Sequence, residues 1–299
     1  MEQKITELAT RAISRRGFCF AAAASAAATT LLAGCGDDGT SSTGGGGGST
    51  TLTDADYLNF ALNLEYLEAE FYLRAATGSG LGSSDTGNSA SKTTGGGQVP
   101  GLTSLQTQYI NEIAQNELDH VRFLRSALAS AAVGAPAIDL TNSFNALASA
   151  AGLGSSFNPF ASYSNFLIGA FIFEDVGVTA YHGAAKLLTS KTNLTAAAKI
   201  HAVEAYHAAA IRSQIVAAGS TAISTANAVE NVRSMLGGGN ETTLSATGIV
   251  AADATNSIGF ERTTDQVLHI VYGTGGGAGV KSGTFFPSGL NGNISVTQA

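Results

Sequence analysis

Apolar residues recur every three or four positions along most of the chain between residues 53 and 218, which is the spacing of one face of an α-helix. Four long helices are predicted at 53–76, 103–131, 159–188 and 192–218. Each of these stretches begins at a residue suited to a helix start, Thr, Asn or Pro. The third stretch is apolar on every face from residue 166 to 173, so its helix is predicted to be the most deeply buried.

The connections between these helices indicate a bundle with one long crossover. Residues 77–100 are rich in Gly, Ser and Thr and are long for a bundle connection, so we expect an insertion or a lid. Residues 132–157 contain a predicted short helix at 143–151, as a crossover requires. The sequence therefore predicts an all-α four-helix bundle over 54–220.

A C-terminal extension over 221–299 is predicted to pack on this bundle. Short helices are expected at 225–236, before a run of three glycines, and at 263–272. The last 27 residues are Gly-rich and irregular, and the motif Phe285-Phe286-Pro287 is expected to anchor them in the core.

The first 34 residues are predicted to be an export signal. Residues 14–18 (SRRGF) form a twin-arginine signature, an apolar run follows, and residues 32–35 (LAGC) resemble a bacterial lipobox. We expect cleavage before Cys35, lipidation of Cys35 and a flexible tether over 35–53. The apolar run is too short to be a permanent span, so contact with the membrane is predicted through the lipid anchor alone. The expected location is the bacterial cell envelope, reached by twin-arginine export of the folded chain.

Charge and cysteine content narrow the classes of partner. The whole chain has a net charge of −7, and 11 basic and 20 acidic side chains remain after residue 34. The sequence has no basic cluster, so nucleic acid is not an expected partner. Cleavage would remove Cys19 and leave Cys35 as a single cysteine, so we expect no intramolecular disulfide.

Two Glu-x-x-His motifs lie on the apolar stripes of the second and fourth predicted helices. They are Glu117 with His120, and Glu204 with His207. A Glu and a His three positions apart project from the same face of a helix, so both can bind one ion while the carboxylate bridges to a second. One such pair is weak evidence, because it is often a solvated pair. Two pairs on apolar stripes are stronger, since burying an unpartnered Glu costs several kcal/mol.

The first and third predicted helices supply the matching carboxylates. Glu65 and Glu174 lie on the inner stripes of these helices, and each has a tyrosine two helical turns further on, Tyr72 and Tyr181. Both tyrosines are candidate catalytic residues, as hydrogen-bond donors or electron donors beside the metals, and equally candidate core residues. Glu68 can replace Glu65 as a ligand, although the third helix has glycine at the matching position.

Four carboxylates and two imidazoles are a ligand set for two metal ions. The four negative charges balance two divalent cations, and the set leaves open coordination positions on both ions. Carboxylate and imidazole ligands suit iron or manganese better than a metal that seeks thiolates. We therefore expect two iron ions, with manganese as the alternative, and oxygen or peroxide as the reaction partner.

Other polar residues near these motifs are not expected to bind metal. Glu70 faces away from the inner stripe and is predicted to be solvated. Asp119, Asp175 and His182 are expected to point away from the metals. His201 lies one turn before Glu204 and is expected at the polar rim of the site, with contact to a ligand as the alternative. His269 is expected to be a structural residue of the C-terminal region.

The order of these motifs resembles that of ferritin-like di-metal proteins. Four segments resemble, more closely, the ferritin-like family that includes the plant desiccation-related proteins: 62–72 (LNLEYLEAEFY), 173–185 (FEDVGVTAYHGAA), 260–273 (FERTTDQVLHIVYG) and 285–292 (FFPSGLNG). The resemblance covers residues 54–292 and implies a ferritin-like bundle. It also implies the role of each ligand: Glu65 and Glu174 terminal, Glu117 and Glu204 bridging, and His120 and His207 on one ion each.

Two functions from different classes follow from this site. The first is an oxidoreductase whose two metals react with oxygen or peroxide, as in ferroxidases, rubrerythrins and manganese catalases. The alternative is a stress or desiccation-related envelope protein whose metal site is structural and does not turn over. Bulk iron storage ranks third, because a lipid-tethered chain with an insertion at 77–100 is a poor subunit for a storage shell. A smaller homo-oligomer is compatible with the sequence.

Overall fold

The computed structural model describes residues 51–87 and 92–298 of the chain. The predicted export signal and Cys35 lie outside these described residues. Seven α-helices are found within the described part: α1 (Asp54–Thr77), α2 (Ser104–Leu128), α3 (Asn142–Ala150), α4 (Tyr163–Ala185), α5 (Lys191–Ala217), α6 (Ser220–Leu236) and α7 (Thr264–Tyr272). Two short parallel strands, β1 (Thr93–Thr94) and β2 (Ile138–Asp139), pair with each other.

The four long helices form the predicted bundle. Helix α1 packs along α2, α4 packs along α5, and the two pairs meet through α1 and α4. Helix α3 lies in the long crossover between α2 and α4. None of the described helices is long and apolar enough to cross a membrane. The prediction of an all-α bundle with a long crossover is confirmed.

Several helices begin or end at residues other than the predicted ones, because local capping and backbone conformation determine where a helix begins and ends. Helix α4 begins at Tyr163 because the Ser162 side chain accepts a hydrogen bond from the backbone of the first turn. Helix α2 ends at Leu128 because Ala129 has a φ of 48°, which stops the α-helical hydrogen-bond pattern, and a short 3-10 turn follows. Helix α6 begins at Ser220, five residues before the predicted start of the fifth helix.

The core is centred on an aromatic cluster beside α4. Phe71 is buried, and five aromatic rings have centroids 5.2–6.0 Å from its ring: Tyr72, Phe144, Phe160, Phe166 and Phe173. Every residue of α4 from Phe166 to Gly177 is buried. Burial of 166–173 agrees with the prediction from its apolar sequence, and burial continues through Glu174 and Asp175. Rings of this size supply a large part of the burial that holds the four helices together.

The C-terminal extension packs on the bundle at several points. The ring of Phe285 lies 5.3 Å from that of Phe144 and 5.1 Å from that of Phe173. Asn63 on α1 and Asn291 exchange two hydrogen bonds, of 2.8 and 3.0 Å. The predicted anchoring of the tail by Phe285 and its neighbour Phe286 therefore agrees with the observed burial of both rings.

Glu70 was predicted to be solvated, and this prediction was wrong. The side chain is 1% exposed and accepts hydrogen bonds from Arg74 Nε, at 2.8 Å, and from the backbone nitrogen of Leu81, at 3.2 Å. The insertion after α1 folds back over this face of the helix, and Leu81 and Val99 are buried there. Gly80 allows the close approach, because a Cβ at this position would lie 1.9 Å from Glu70 Oε2.

Candidate metal centre

The six predicted ligands converge between the four long helices. They are contributed as predicted by α1 (Glu65), α2 (Glu117 and His120), α4 (Glu174) and α5 (Glu204 and His207), and all six are buried. Helical spacing explains the convergence, since each ligand lies on the apolar stripe that its helix turns towards the core.

The ligands form two groups that share two members. The first group is Glu65, Glu117, His120 and Glu204, and the second is Glu117, Glu174, Glu204 and His207. Within each group, one ligand atom per residue lies within 4.8 Å of every other. The two shared carboxylates, Glu117 and Glu204, lie where bridging ligands between two ions would be needed.

Both histidines turn Nδ1 towards the carboxylates. His120 Nδ1 lies 3.2 Å from Glu65 Oε2 and 3.3 Å from an oxygen of each shared carboxylate. His207 Nδ1 lies 2.9 Å from Glu117 Oε1 and 3.5 Å from Glu174 Oε2. Nδ1 is therefore the atom that each imidazole offers to an ion.

Polar atoms without hydrogen bonds point into the centre of this cluster. Within the described residues, one oxygen each of Glu65, Glu117 and Glu174, both oxygens of Glu204, and His207 Nδ1 have no hydrogen-bond partner. The 2.9 Å approach of His207 to Glu117 does not have the geometry of a hydrogen bond. Buried atoms left unsatisfied in this way are costly, and two bound cations would satisfy them. The residues present therefore fit a pair of metal ions.

Burial and ion pairing shift the pKa values of the cluster in opposite directions. Burial raises the pKa of Glu65 to about 7. Burial also opposes ionisation of Glu117, but the hydrogen bond with His120 and the nearby positive charges of His120 and His207 lower its pKa to about 2. Burial would lower the pKa of His207, yet the charges of Glu174 and Glu117 raise it to about 11. Without metal, protons on the histidines therefore compensate the carboxylates, and bound cations would displace those protons.

Two tyrosines connect the helices crosswise at the site. Tyr72 on α1 donates a hydrogen bond to Glu174 on α4, and Tyr181 on α4 donates one to Glu65 on α1. Each hydroxyl binds Oε1 of its carboxylate and leaves Oε2 directed at the cluster. Burial raises the pKa of both tyrosines well above the usual value, which keeps them protonated as donors.

Asn116 belongs to the site although the sequence analysis did not select it. Its Oδ1 lies 3.1 Å from His207 Nε2. A hydrogen bond from Nε2–H to this oxygen fixes the ring with Nδ1 towards the carboxylates. Asn116 immediately precedes the Glu117 motif, but nothing in that position of the sequence distinguishes it from a solvated polar residue.

Other polar residues lie off the cluster, in agreement with the prediction for them. Asp175 is buried but pairs with Arg212 at 2.6 Å and with Arg233 at 2.8 Å. The rings of His182 and His201 lie 5.8 Å apart, and neither belongs to a ligand group. Glu68 is buried beside the cluster without being a member of either group, so Glu65 is the α1 residue that the structure brings into the ligand set.

Comparison with known proteins identifies the class to which this bundle and site belong. Residues 53–217, more than half of the chain, match the family model described as the ferritin-like domain, and the chain belongs to this family. It is 29% identical over 246 residues to "Desiccation-related protein PCC13-62" of Craterostigma plantagineum, which covers 72% of this chain and 76% of the relative. It is also 27% identical over 268 residues to "Ferritin-like catalase Nec2" of Nesocodon mauritianus, and this match covers 81% of this chain and 85% of the relative.

Proposed function

We propose that this protein is a di-metal oxidoreductase that reacts with peroxide or oxygen, with two iron ions or, alternatively, two manganese ions. The observation that carries the proposal is the pair of ligand groups that share Glu117 and Glu204. Glu117 Oε1 and both carboxylate oxygens of Glu204 have no hydrogen-bond partner among the described residues. A relative named as a ferritin-like catalase, aligned over 85% of its length, supports peroxide as the first substrate to test.

The bound ions would supply the electrons exchanged with peroxide or oxygen. The protein's own residues would hold the ions and position the carboxylates around them. Glu65 and Glu174, which each belong to one ligand group, would each hold one of the ions, and the crossed tyrosines position their carboxylates. The His120 side chain is 11% exposed and the four carboxylates are buried, so the cluster is more open on the side of this histidine.

Peroxide disproportionation suits a site of this kind. One peroxide is reduced by two electrons to water, and a second returns the two electrons and two protons as it is oxidised to dioxygen. The cycle consumes no external reductant. Burial of the four carboxylates excludes bulk water from the cluster, which would limit side reactions there.

A structural role for the metals is the alternative. The relative named as a desiccation-related protein supports it, as does the way the ligands come from four separate helices. Two ions at the centre would then hold the bundle together without turnover. Metal that binds to the folded state alone stabilises that state in proportion to the logarithm of its concentration.

Metal loading followed by exposure to oxidants separates the two functions. The protein is loaded anaerobically with ferrous iron or manganese, and elemental analysis should find about two ions per chain. Oxygen release from added peroxide would identify catalase chemistry. Rapid iron oxidation with a near-ultraviolet absorption band would identify a ferroxidase-like reaction. A centre that fills and stays inert to both oxidants would establish the structural role.

Paired histidine variants test the ligand assignment. Replacing both His120 and His207 with Ala should abolish metal binding. The matched control is His201→Ala, which removes a histidine of α5 that lies outside both ligand groups. Two ions per chain in the double variant would refute the site.

We also propose that the chain is exported by the twin-arginine route and anchored through lipid on Cys35. The motifs SRRGF and LAGC support this location. Cys35→Ala should release the protein from the membrane fraction or leave it unprocessed, and Cys19→Ala is the matched control. Finding the unaltered protein in the cytoplasmic fraction would contradict the proposal.

A further inference from the structure

His182 on α4 and His201 on α5 lie beside each other, outside both ligand groups of the metal centre. Their ring centroids are 5.8 Å apart, and their ring planes are inclined at 47°. Both residues are half-buried, so a small ion can reach them from solvent. Neither ring takes part in the proposed reaction.

The distance between these two rings fits one shared metal ion. Zinc binds an imidazole nitrogen at about 2.0–2.1 Å, which places the ion about 3.2 Å from the centre of that ring. Two rings bound to one ion at an angle of about 110–130° then have centroids about 5.2–5.8 Å apart. The observed distance of 5.8 Å lies at the upper end of that range.

The C-terminal extension fixes the ring nitrogen that His182 offers to an ion. His182 Nδ1 lies 3.0 Å from the carbonyl oxygen of Phe260. Because a carbonyl oxygen can only accept, Nδ1 of the neutral ring carries the proton and Nε2 keeps its lone pair. Metal-binding histidines generally donate their other N–H to a carbonyl or a carboxylate in this way. His182 therefore has the tautomer of a metal ligand before an ion is bound.

The segment that orients His182 is itself held against α4. The backbone nitrogen of Arg262 donates a hydrogen bond to the carbonyl oxygen of Thr179, at 3.0 Å. Gly183 permits this close packing, because a Cβ there would lie 1.9 Å from the carbonyl oxygen of Arg262. The carbonyl of Phe260 is therefore a fixed acceptor for His182.

His201 supplies the second imidazole. No hydrogen bond to its ring is found within the described residues, and the ring of His182 lies beside it. Burial, together with the charge of a protonated His182, lowers the pKa of His201. The ring is therefore kept in the neutral form that metal binding needs.

Glu261 places a carboxylate next to this pair of histidines. It directly follows Phe260, its side chain is 47% exposed, and it pairs with Lys186. The hydrogen bond from Lys186 and, to a smaller extent, the charge of His182 lower the pKa of Glu261, so the carboxylate lies within electrostatic reach of that ring. Rotation of this exposed side chain towards the histidines would bring an oxygen ligand to the same ion.

We propose that His182 and His201 form a second metal site, which binds one zinc ion with Glu261 as its third protein ligand. Two imidazoles and one carboxylate, with water in the fourth position, form a tetrahedral zinc site. Zinc lies above ferrous iron and manganese in affinity for such ligands, so loading with iron or manganese still fills the metal centre alone. The zinc ion links α4 to α5 and to the C-terminal extension.

Counting zinc ions in matched variants tests this site. The metal centre can also take up zinc, so the full chain is freed of metal and titrated with zinc against a chromogenic chelator. The unaltered protein should bind about three zinc ions per chain. The double variant His182→Ala, His201→Ala should bind about two, and the double variant His120→Ala, His207→Ala should bind about one.

Three further variants make the count specific. His182→Gln combined with His201→Gln keeps side-chain volume and should lose the same single ion, which separates loss of a ligand from loss of the fold. Glu261→Gln should weaken binding of that ion about 10- to 100-fold. His269→Ala removes a histidine of α7 and should leave all three ions bound.

The outcomes that overturn the inference are distinct from those that refute the metal centre. A zinc count in both His182 and His201 double variants equal to that of the unaltered protein would overturn it. Loss of all zinc from the His120→Ala, His207→Ala variant would also overturn it, because the site would then depend on the metal centre. A single zinc ion in the unaltered protein that the His182 and His201 substitutions remove would support the site and count against the metal centre.

Discussion

Replacing Glu230 with Gln should stabilise the protein at neutral and alkaline pH. Glu230 lies on α6, is 1% exposed, and neither of its carboxyl oxygens has a hydrogen-bond partner within the described residues. Burial raises its pKa to about 7, even though the charge of Arg233 acts in the opposite direction. The folded protein therefore keeps a proton on Glu230 that the unfolded chain releases near its ordinary pKa of 4.5.

The sign and size of the effect follow from this difference in proton binding. Between pH 4.5 and 7 the folded state binds more protons than the unfolded state, so the free energy of unfolding falls as the pH rises. A difference of about 2.5 pKa units corresponds to about 3 kcal/mol, reached above pH 7. The side-chain amide of glutamine cannot ionise, so Glu230→Gln should gain up to that amount at pH 8 and show little difference at pH 4.

Urea unfolding at pH 4, 6 and 8 measures this gain, and Glu241 provides a control of opposite sign. Burial disfavours the charge of Glu241, but its pairing with Arg233 and Arg262 lowers its pKa overall. Glu241→Gln should therefore destabilise the protein at pH 8 and lose that effect as the pH falls through the acid range. A Glu230→Gln variant with no gain at pH 8, or with the same gain at every pH, would refute the reasoning.

Three further substitutions have definite expected outcomes. Tyr181→Phe removes the donor to Glu65 and should cost about 1–2 kcal/mol in thermal unfolding, with metal content unchanged in elemental analysis. Gly183→Ala places a Cβ 1.9 Å from the carbonyl oxygen of Arg262, so the C-terminal extension must shift. Faster limited proteolysis of that extension should follow, at a cost of about 1–3 kcal/mol. Arg233→Ala removes one of the two arginines that pair with each of the buried carboxylates Asp175 and Glu241, and should cost about 3–5 kcal/mol in urea unfolding. Native stability in any of these variants would contradict its assigned contact.

The sequence predicted the bundle and the candidate ligands because both depend on helical spacing. A ligand placed on an apolar stripe must face the core, and four stripes that face one another bring their ligands to one level. The predicted short helix at 263–272 was confirmed to within one residue, since Thr263 caps it through a hydrogen bond to Gln266. The apolar stripe, the ligand positions and the capping residue of a helix can each be recognised within the sequence of that one helix.

Long-range packing explains what could not be predicted. The burial of Glu70 depends on the insertion that returns over α1, and periodicity within α1 cannot show it. Arg212, Arg233 and Arg262 appear in the sequence as scattered charges, yet all three are buried around Asp175 and Glu241. Such networks bring together parts of the chain that no sequence spacing relates.

The two hydrogen bonds between Asn63 and Asn291 can form only late in the synthesis of the chain. They join positions 228 residues apart. The surface of α1 around Asn63 is therefore covered by the C-terminal segment only after nearly the whole chain has been synthesised. At the usual rate of translation this interval lasts on the order of ten to fifty seconds. A nascent chain therefore needs protection of the α1 surface during that time. The proposed twin-arginine export, which carries folded chains, can begin only after the last segment has docked.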